Sequence, residues 1–225
     1  MNPFPAAFSC TVVIDDTVYK WLGLKKFPIY AFLSLCRVPG FNEFGIKNEF
    51  VWNEELGRRG FNVPEVIDHS DTTIVKEYVP GETLDKALTP EVSYDLGKLI
   101  GELHKGNGKE EGISLGGDTK LDNFVLNDGE IYIIDPECAG YVSRRNPSLD
   151  LRTVIEQIIV RADDPAAYVD KFVGGYLENG GDRKHLERVR RWEHDVLFTL
   201  SPFAFSDSPS NILPAYRRKM KTRMP

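Results

Sequence analysis

The chain has 225 residues, of which 41% are hydrophobic and 28% are charged, and its formal net charge is −6 at pH 7. This composition is typical of a globular protein that forms one large domain or two small lobes. The negative balance argues against a protein that binds nucleic acid over its whole surface.

The sequence also argues against membrane insertion and structural zinc. The longest apolar run, residues 27–36, is too short to span a bilayer, and the N-terminus lacks the pattern of a secretory signal. Three cysteines without a C-x-x-C spacing favour a reducing cytoplasm, and the four histidines show no metal-ligand spacing. We therefore expect a cytoplasmic protein with no membrane partner and no DNA partner.

The first part of the chain predicts strands and helices in alternation. Residues 8–14 and 17–22 are rich in β-branched and aromatic side chains and meet at Asp15-Asp16, which predicts a hairpin. A Pro-Gly pair at residues 80–81 turns the chain after the last predicted strand. The elements between them are predicted as a short helix over 28–37, a helix from Asn42 as N-cap to Arg59, and strands over 63–69 and 72–78.

The remainder of the chain predicts mostly helices. Thr89 followed by Pro90 is typical of a helix N-terminus. Later elements are an apolar hairpin over 124–126 and 131–134 and helices over 148–162, 165–178 and 183–200. This order predicts an α+β fold with two lobes. The first lobe, over residues 1–79, is a small antiparallel β-rich N-lobe with one helix. The second lobe, over residues 80–205, is a mostly helical C-lobe. A Pro/Ser-rich loop and a basic tail follow over residues 206–225.

The segment over residues 116–123, Gly-Gly-Asp-Thr-Lys-Leu-Asp-Asn, carries the strongest chemical signal together with Asp135 after the next strand pair. Phosphoryl transfer needs one carboxylate to orient the attacking hydroxyl, and an amide oxygen and a second carboxylate to hold Mg²⁺. The spacing D-x-K-x-x-N and the later Asp match these requirements. We therefore predict Asp118 as the catalytic base and Asn123 and Asp135 as metal ligands. A surface turn rich in Asp and Asn is the simpler alternative.

Lys20 is predicted to bind the phosphates of a nucleotide, because it lies inside an otherwise apolar and aromatic strand that fixes its backbone. In kinases such a lysine pairs with a glutamate of the following helix. We choose Glu49, which comes early in that helix. The rivals of Glu49 are Glu54 and Glu55, and the rivals of Lys20 are Lys25 and Lys26.

Other polar residues have simpler interpretations. The backbone groups of Glu77 and Val79, where a strand is predicted to end, could contact the edge of an adenine, although an ordinary strand end explains them nearly as well. His104 is interpreted as a histidine at a helix C-terminus without a catalytic role. Asp150 either caps the helix that follows Pro147 or braces the catalytic loop by accepting its backbone N–H groups.

These motifs together resemble the protein-kinase-like superfamily, and specifically its small atypical branches. Residues 19–21, 47–49 and 60–64, with the predicted interlobe segment 77–84, are similar to small kinases of the Bud32 and RIO groups. Residues 135–137, Asp-Pro-Glu, are closer to small-molecule kinases of the aminoglycoside, choline and methylthioribose type.

The resemblance implies a kinase that uses ATP and Mg²⁺. Lys20 with Glu49 would hold the phosphates, and Glu77 and Val79 would lie at the adenine. Lys120, two residues after the base, would neutralise charge on the transferring phosphoryl group. No G-x-G-x-x-G precedes Lys20.

The acceptor is not fixed by these motifs. Only 35 residues separate Glu82 from Asp118, which leaves little chain for a closed small-molecule pocket and favours a macromolecule. The last ten residues carry five positive charges, which suit a polyanion or simply a solubilising tail. They are Arg217, Arg218, Lys219, Lys221 and Arg223.

Small size and a basic tail resemble the archaeal RNA kinase family. That resemblance implies a tRNA partner and a ribose 2′-hydroxyl as acceptor, in a heat-loving cell. An atypical protein serine/threonine kinase of the Bud32 or RIO type is the alternative. A small-molecule kinase and a nucleotide-binding protein without catalysis also stay open.

Overall fold

The structure is a computed structural model that describes residues 9–22, 45–106 and 108–191. The strands are β1 (Ser9–Ile14), β2 (Thr17–Leu22), β3 (Val66–His69), β4 (Thr73–Glu77), β5 (Glu82–Thr83), β6 (Ile113–Ser114), β7 (Phe124–Asn127), β8 (Glu130–Ile133) and β9 (Gly140–Tyr141). The helices are α1 (Ile46–Arg58), α2 (Leu84–Ala87), α3 (Pro90–Lys105), α4 (Pro147–Arg161), α5 (Pro165–Glu178) and α6 (Arg183–Arg191), with a 3₁₀ turn at Leu121–Asn123.

The chain divides into two compact units. The first contains the described residues up to Leu84 together with Asp122–Gly140, and the second contains Asp85–Leu121 and the described residues from Tyr141 onward. The predicted hairpin over 124–134 therefore belongs to the first unit although it lies far along the chain. The predicted division between residues 79 and 80 stays a prediction.

The first unit is built on an antiparallel sheet with strand order β1-β2-β4-β3. Its β1–β2 hairpin turns at Asp15-Asp16, where both residues have positive φ, 46° and 59°, as expected of a two-residue hairpin turn. Helix α1 packs on β2, β3 and β4. Ile74 of β4 and Leu56 of α1 are fully buried, so they form part of this core.

A second sheet of the same unit has the order β5-β7-β8 and contains the predicted apolar hairpin. The chain enters it through Gly81, whose φ is 134°. A Cβ atom at this position would lie 2.2 Å from the carbonyl oxygen of Leu126. Only glycine combines this backbone conformation with so close an approach, which explains the Pro-Gly turn seen in the sequence.

The second unit is helical, and its centre is the packing of α3 against α5. The two backbones approach closely because glycines face the partner helix: a Cβ at Gly97 would lie 2.1 Å from the Phe172 carbonyl oxygen. Helix α3 begins as predicted, with the Thr89 hydroxyl accepting from the Val92 N–H at 3.2 Å. Among the described residues, none of the helices is both long enough and apolar enough to cross a bilayer.

The predicted α+β class is confirmed, with an antiparallel N-terminal sheet, helix α1 and a helical C-terminal region. Helix α1 begins at Ile46 with Gly45 in the N-cap position. The predicted cap Asn42, the predicted helix over 28–37 and the predicted continuation of α6 to residue 200 lie outside the described residues.

Candidate functional site

Three of the predicted site residues meet in the first unit. The Nζ atom of Lys20 lies 2.7 Å from Oε2 of Glu49 and 2.8 Å from Oδ1 of Asp135. Lys20 is 3% exposed and Glu49 is fully buried. The structure therefore joins residues from β2, α1 and the end of β8 in one ion-pair cluster.

The cluster forms because Lys20 and Glu49 lie where the sheet and helix α1 pack against each other. Lys20 is directly opposite Ile74 in the β2–β4 register, so it shares the face of the sheet that carries this buried core residue. Glu49 lies in the first turn of α1, the helix that packs on β2 and β4. Its rival Glu55 instead pairs with Arg58 and with Arg59, in the last turn of the same helix and just after it.

Lys76 is a second buried lysine in this cluster, and the sequence analysis missed it. Its Nζ donates to Oε1 of Glu49 and to the carbonyl oxygen of Ile134, the latter at 2.6 Å. It is 3% exposed. The signal that could have found it is the strand period of two, which places Lys76 on the same face as Ile74.

Glu137 is the other group that sequence reasoning did not assign. Its Oε2 lies 3.1 Å from Nζ of Lys20. The segment after Asp135 is tied to α1, because Nδ2 of Asn48 donates to the carbonyl oxygens of Glu137 at 2.6 Å and of Ala139 at 3.3 Å. These bonds fix the backbone on which Asp135 and Glu137 lie.

The charges of the cluster shift its pKa values in different directions. Burial alone would lower the pKa of Lys20, but the nearby carboxylates outweigh it and raise the pKa well above its ordinary value. Burial opposes ionisation of Asp135, yet the positive charges of Lys20 and Lys76 lower its pKa. Burial and the negative charge of Asp135 raise the pKa of Glu137 to about 7. Glu137 therefore exchanges a proton near neutral pH, whereas Asp135 stays ionised.

The donor set of this cluster suits a divalent cation. Carboxylate oxygens of Glu49, Asp135 and Glu137 all lie within 4.8 Å of one another, and Mg²⁺ prefers oxygen ligands of this kind. Asn123, the predicted amide ligand, lies at the base of the same hairpin: its carbonyl oxygen accepts from the Ile134 N–H at 3.0 Å. The residues present therefore fit the predicted metal.

Glu77 and Val79, predicted to lie at an adenine, come where β4 ends in the first unit. The Glu77 N–H donates to the Glu65 carbonyl oxygen at 2.9 Å, and the Val79 side chain is buried. Between them, the Tyr78 N–H donates to the Asp16 carbonyl oxygen at 3.0 Å. The contact of this segment with a nucleotide stays a prediction.

Asp118 lies in the second unit, on a loop held by a buried carboxylate. Asp150 is fully buried and accepts from the N–H groups of Leu115 at 2.8 Å and Gly117 at 2.6 Å. The helix cap is a different residue, Asn146, whose side chain accepts from the Ser148 N–H. Of the two predicted roles for Asp150, the structure shows bracing.

Further hydrogen bonds of the same unit complete this support. His104 Nε2 lies 2.9 Å from Oδ2 of Asp150, and the Thr119 hydroxyl donates to the Asp150 carbonyl oxygen at 2.7 Å. Nζ of Lys120 lies 3.3 Å from Oδ1 of Asp118. His104 thus serves the loop through Asp150, while the five basic residues of the tail lie outside the described residues.

The sequence was compared with those of known proteins. No protein-family model matches the sequence. A relative from Archaeoglobus fulgidus, named as a probable serine/threonine-protein kinase and Bud32 homologue, is 28% identical over 137 residues. The match covers 60% of this chain and 67% of that relative. The KEOPS complex subunit Bud32 of Pyrococcus abyssi is 29% identical, and the match covers 60% of this chain and 64% of that protein.

Two solved structures share the fold. The ternary complex of APH(2″)-IIa with streptomycin and ATP has a TM-score of 0.59, 13% sequence identity, and coverage of 99% of this chain and 90% of that chain. The macrolide 2′-phosphotransferase MphH of Brachybacterium faecium has a TM-score of 0.54 at 14% identity, and coverage of 95% and 89%. The chain therefore has a protein-kinase-like fold and is similar in sequence to Bud32 proteins.

The likeness to these structures confirms the predicted fold, and the kinase relatives and the kinase fold together support a phosphotransferase. A further relative from Methanospirillum hungatei is named as a probable bifunctional tRNA threonylcarbamoyladenosine biosynthesis protein. It is 26% identical, and the match covers 55% of this chain but only 23% of that longer protein. The roles of individual residues in catalysis stay predictions.

Proposed function

We propose that this protein is an ATP- and Mg²⁺-dependent kinase of the Bud32 type that phosphorylates serine or threonine hydroxyls of a protein. The observation that supports this most directly is the buried contact of Lys20 with both Glu49 and Asp135. It joins a cation suited to phosphates with a carboxylate suited to a metal ion.

In this proposal the first unit binds the nucleotide. Lys20 contacts the phosphates, and Glu49 keeps its ammonium group in place. Asn123 and Asp135 would hold Mg²⁺, which supplies positive charge against the phosphate oxygens. Lys20 has a raised pKa, so it stays charged at every physiological pH.

The acceptor is activated by the Asp118 loop. Asp118 would orient the attacking hydroxyl and accept its proton as the new oxygen–phosphorus bond forms and the bond from the γ-phosphorus to ADP breaks, with ADP as the leaving group. Lys120 balances the negative charge of the transferring phosphoryl group. Asp150 keeps the loop backbone fixed, because both N–H groups that it accepts from lie within three residues of Asp118.

The relatives favour a protein acceptor over a ribose hydroxyl. The Archaeoglobus relative is named as a serine/threonine-protein kinase, which supports the alternative of the sequence analysis, whereas the comparisons do not support a tRNA 2′-hydroxyl kinase. We place the reaction in tRNA modification, because the names of two relatives mention the KEOPS complex and threonylcarbamoyladenosine biosynthesis. The likeness to aminoglycoside and macrolide phosphotransferases extends to the fold alone.

The test is a transfer assay with γ-labelled ATP and Mg²⁺, using casein, total tRNA or no added acceptor. The wild type should label casein or itself on serine or threonine. Asp118→Ala should lower the transfer rate by about 100-fold or more, because it removes the general base. Asp122→Ala, an exposed acid four residues away, is the matched control and should retain activity.

ATP binding and thermal unfolding should be the same in Asp118→Ala as in the wild type. Label that enters only tRNA would overturn the protein acceptor in favour of the RNA hypothesis. Nucleotide binding without any label would overturn the kinase itself.

A further inference from the structure

We propose that Lys76 is a positioning residue for the phosphoryl transfer proposed above. Its ammonium group contacts the carboxylate oxygen of Glu49 that does not contact Lys20, and it connects Glu49 to the backbone next to Asp135. The inference rests on the proposed function and assigns Lys76 a role that the family motifs in this sequence do not include.

The two oxygens of Glu49 have different partners. Oε2 contacts Lys20 at 2.7 Å, and Oε1 accepts from Lys76. Glu49 is fully buried, so water does not compete for either oxygen. A carboxylate bound on both oxygens cannot rotate without breaking an ion pair. Lys76 therefore fixes the direction in which Glu49 presents its other oxygen to Lys20.

Lys76 also connects Glu49 to the candidate metal ligand. Its Nζ donates to the carbonyl oxygen of Ile134 at 2.6 Å, and Asp135 is the next residue. One ammonium group thus joins β4, helix α1 and the end of β8. The position of Asp135 relative to Lys20 is set by this connection as well as by their direct contact.

The proposed reaction explains why Glu49 would need a second partner. When Lys20 binds phosphates and Asp135 binds a metal, each shares its charge with the ligand, and the Lys20–Glu49 contact weakens. Glu49 then retains Lys76, which is buried at 3% exposure, as its second partner. Burying a lysine costs free energy that an apolar side chain beside Ile74 would not, so core packing alone does not explain Lys76.

The kinetic test compares Lys76→Met, Glu49→Gln and the double variant with the wild type. Lys76→Met should lower kcat by about 10-fold or more, with a change in KM for ATP of less than about 3-fold. Because Lys76 and Glu49 act as a connected pair, the loss in the double variant should be clearly smaller than the product of the two single losses. Lys47→Met, the same change at an exposed position of α1, is the control and should have wild-type kcat.

One further variant, Lys76→Gln, and two possible outcomes test the positioning role. Lys76→Gln retains a hydrogen-bond donor without the charge, so its kcat should lie between those of Lys76→Met and the wild type, and it replaces Lys76→Met if that variant does not fold. A kcat within 2-fold of wild type in both variants, or losses that multiply in the double variant, would overturn the positioning role.

A second readout does not depend on activity. The side-chain ammonium signals of Lys20 and Lys76, observed by NMR in ¹⁵N-labelled protein, should both shift in Glu49→Gln. The Lys20 signal should also shift in Lys76→Met and stay unchanged in Lys47→Met. If the wild type transfers no phosphate, the proposed function fails, and the spectrum alone decides the positioning role: an unchanged Lys20 signal in Lys76→Met would overturn it.

Discussion

The two units of this protein hold their candidate functional residues by different physical means. In the first unit, the buried ammonium groups of Lys20 and Lys76 contact the carboxylates of Glu49, Asp135 and Glu137. Attraction between charges fixes this arrangement, so its geometry and its stability depend on which groups are ionised. A change of pH or a bound cation acts on it directly.

In the second unit, the Asp118 loop depends on hydrogen bonds to one buried carboxylate and on close helix packing. Asp150 accepts from the N–H groups of Leu115 and Gly117. Backbone N–H groups do not titrate near neutral pH. We therefore expect the ion-pair cluster of the first unit to respond to protonation, and the Asp118 loop of the second unit to respond to the loss of single contacts.

Asp150→Ala should cause the largest loss of stability, because the Asp118 loop of the second unit depends on this one residue. It leaves the buried N–H groups of Leu115 and Gly117 and the ring of His104 without their acceptor. We expect a loss of about 3–5 kcal/mol in the free energy of unfolding, measured with urea. Phosphoryl transfer should fall with it, because the Asp118 loop loses its anchor.

The control for this variant is Asp170→Ala, which removes an exposed carboxylate from helix α5 and should change stability by less than about 0.5 kcal/mol. Asp150→Asn keeps one acceptor oxygen and should fall between them. Equal stability of Asp150→Ala and Asp170→Ala would contradict the dependence of the Asp118 loop on Asp150.

Gly97→Ala tests the close packing of α3 on α5 and should have the next largest effect. The added Cβ would lie 2.1 Å from the Phe172 carbonyl oxygen and 3.0 Å from the Tyr176 amide nitrogen, so the helices must separate. We expect a loss of about 2–4 kcal/mol in the free energy of unfolding, because backbone atoms cannot move aside as side chains can.

Gly174→Ala is the matched control, since this glycine lies in the same helix pair and a Cβ there would meet no atom within 4 Å. It should stabilise the protein by up to about 1 kcal/mol, because alanine is the better helix former. Both changes are measured by urea unfolding at one pH. Equal effects of the two substitutions would show that packing at Gly97 is not limiting.

The predictions for Asp118, Asn123 and Asp135 depend on local spacing, in a short motif and a hairpin, and the roles of these residues stay predictions. The strands of that hairpin lie within one residue of their predicted bounds. The contact of Lys20 with Glu49 was also predicted, from the lysine–glutamate pair of kinases and from the position of Glu49 early in its helix. Only that position separated Glu49 from its rivals Glu54 and Glu55.

Lys76 could not be predicted in the same way, because its burial depends on partners that are distant in sequence. It contacts Glu49, 27 residues earlier, and Ile134, 58 residues later. A lysine within a strand is expected to face solvent unless such partners exist. For the same reason the sequence could not decide between capping and bracing for Asp150, since Leu115 lies 35 residues before it.

Glu137→Gln tests whether the stability of the ion-pair cluster depends on pH, and of the three substitutions it should change the free energy of unfolding least. The ordinary pKa of a glutamate, 4.5, rises to about 7 at Glu137 through burial and the charge of Asp135. Between these values the folded protein binds a proton that the unfolded chain has lost, so stability falls as pH rises from about 4.5 to about 7. Above pH 7 this costs the wild type up to about 3 kcal/mol.

Glutamine has no such proton to lose, so the variant should be more stable than the wild type by about 2–3 kcal/mol at pH 8 and nearly equal to it at pH 5. Urea unfolding is measured from pH 5 to pH 8 with a metal chelator present. His185, whose pKa is lowered mainly by burial, acts in the opposite direction over this range, but it is common to both proteins and cancels in the difference. Glu54→Gln, an exposed change on α1, should show no such slope. A difference between Glu137→Gln and wild type that does not grow with pH would mean that Glu137 is already ionised at pH 5, and that the cluster tolerates a third negative charge without cost.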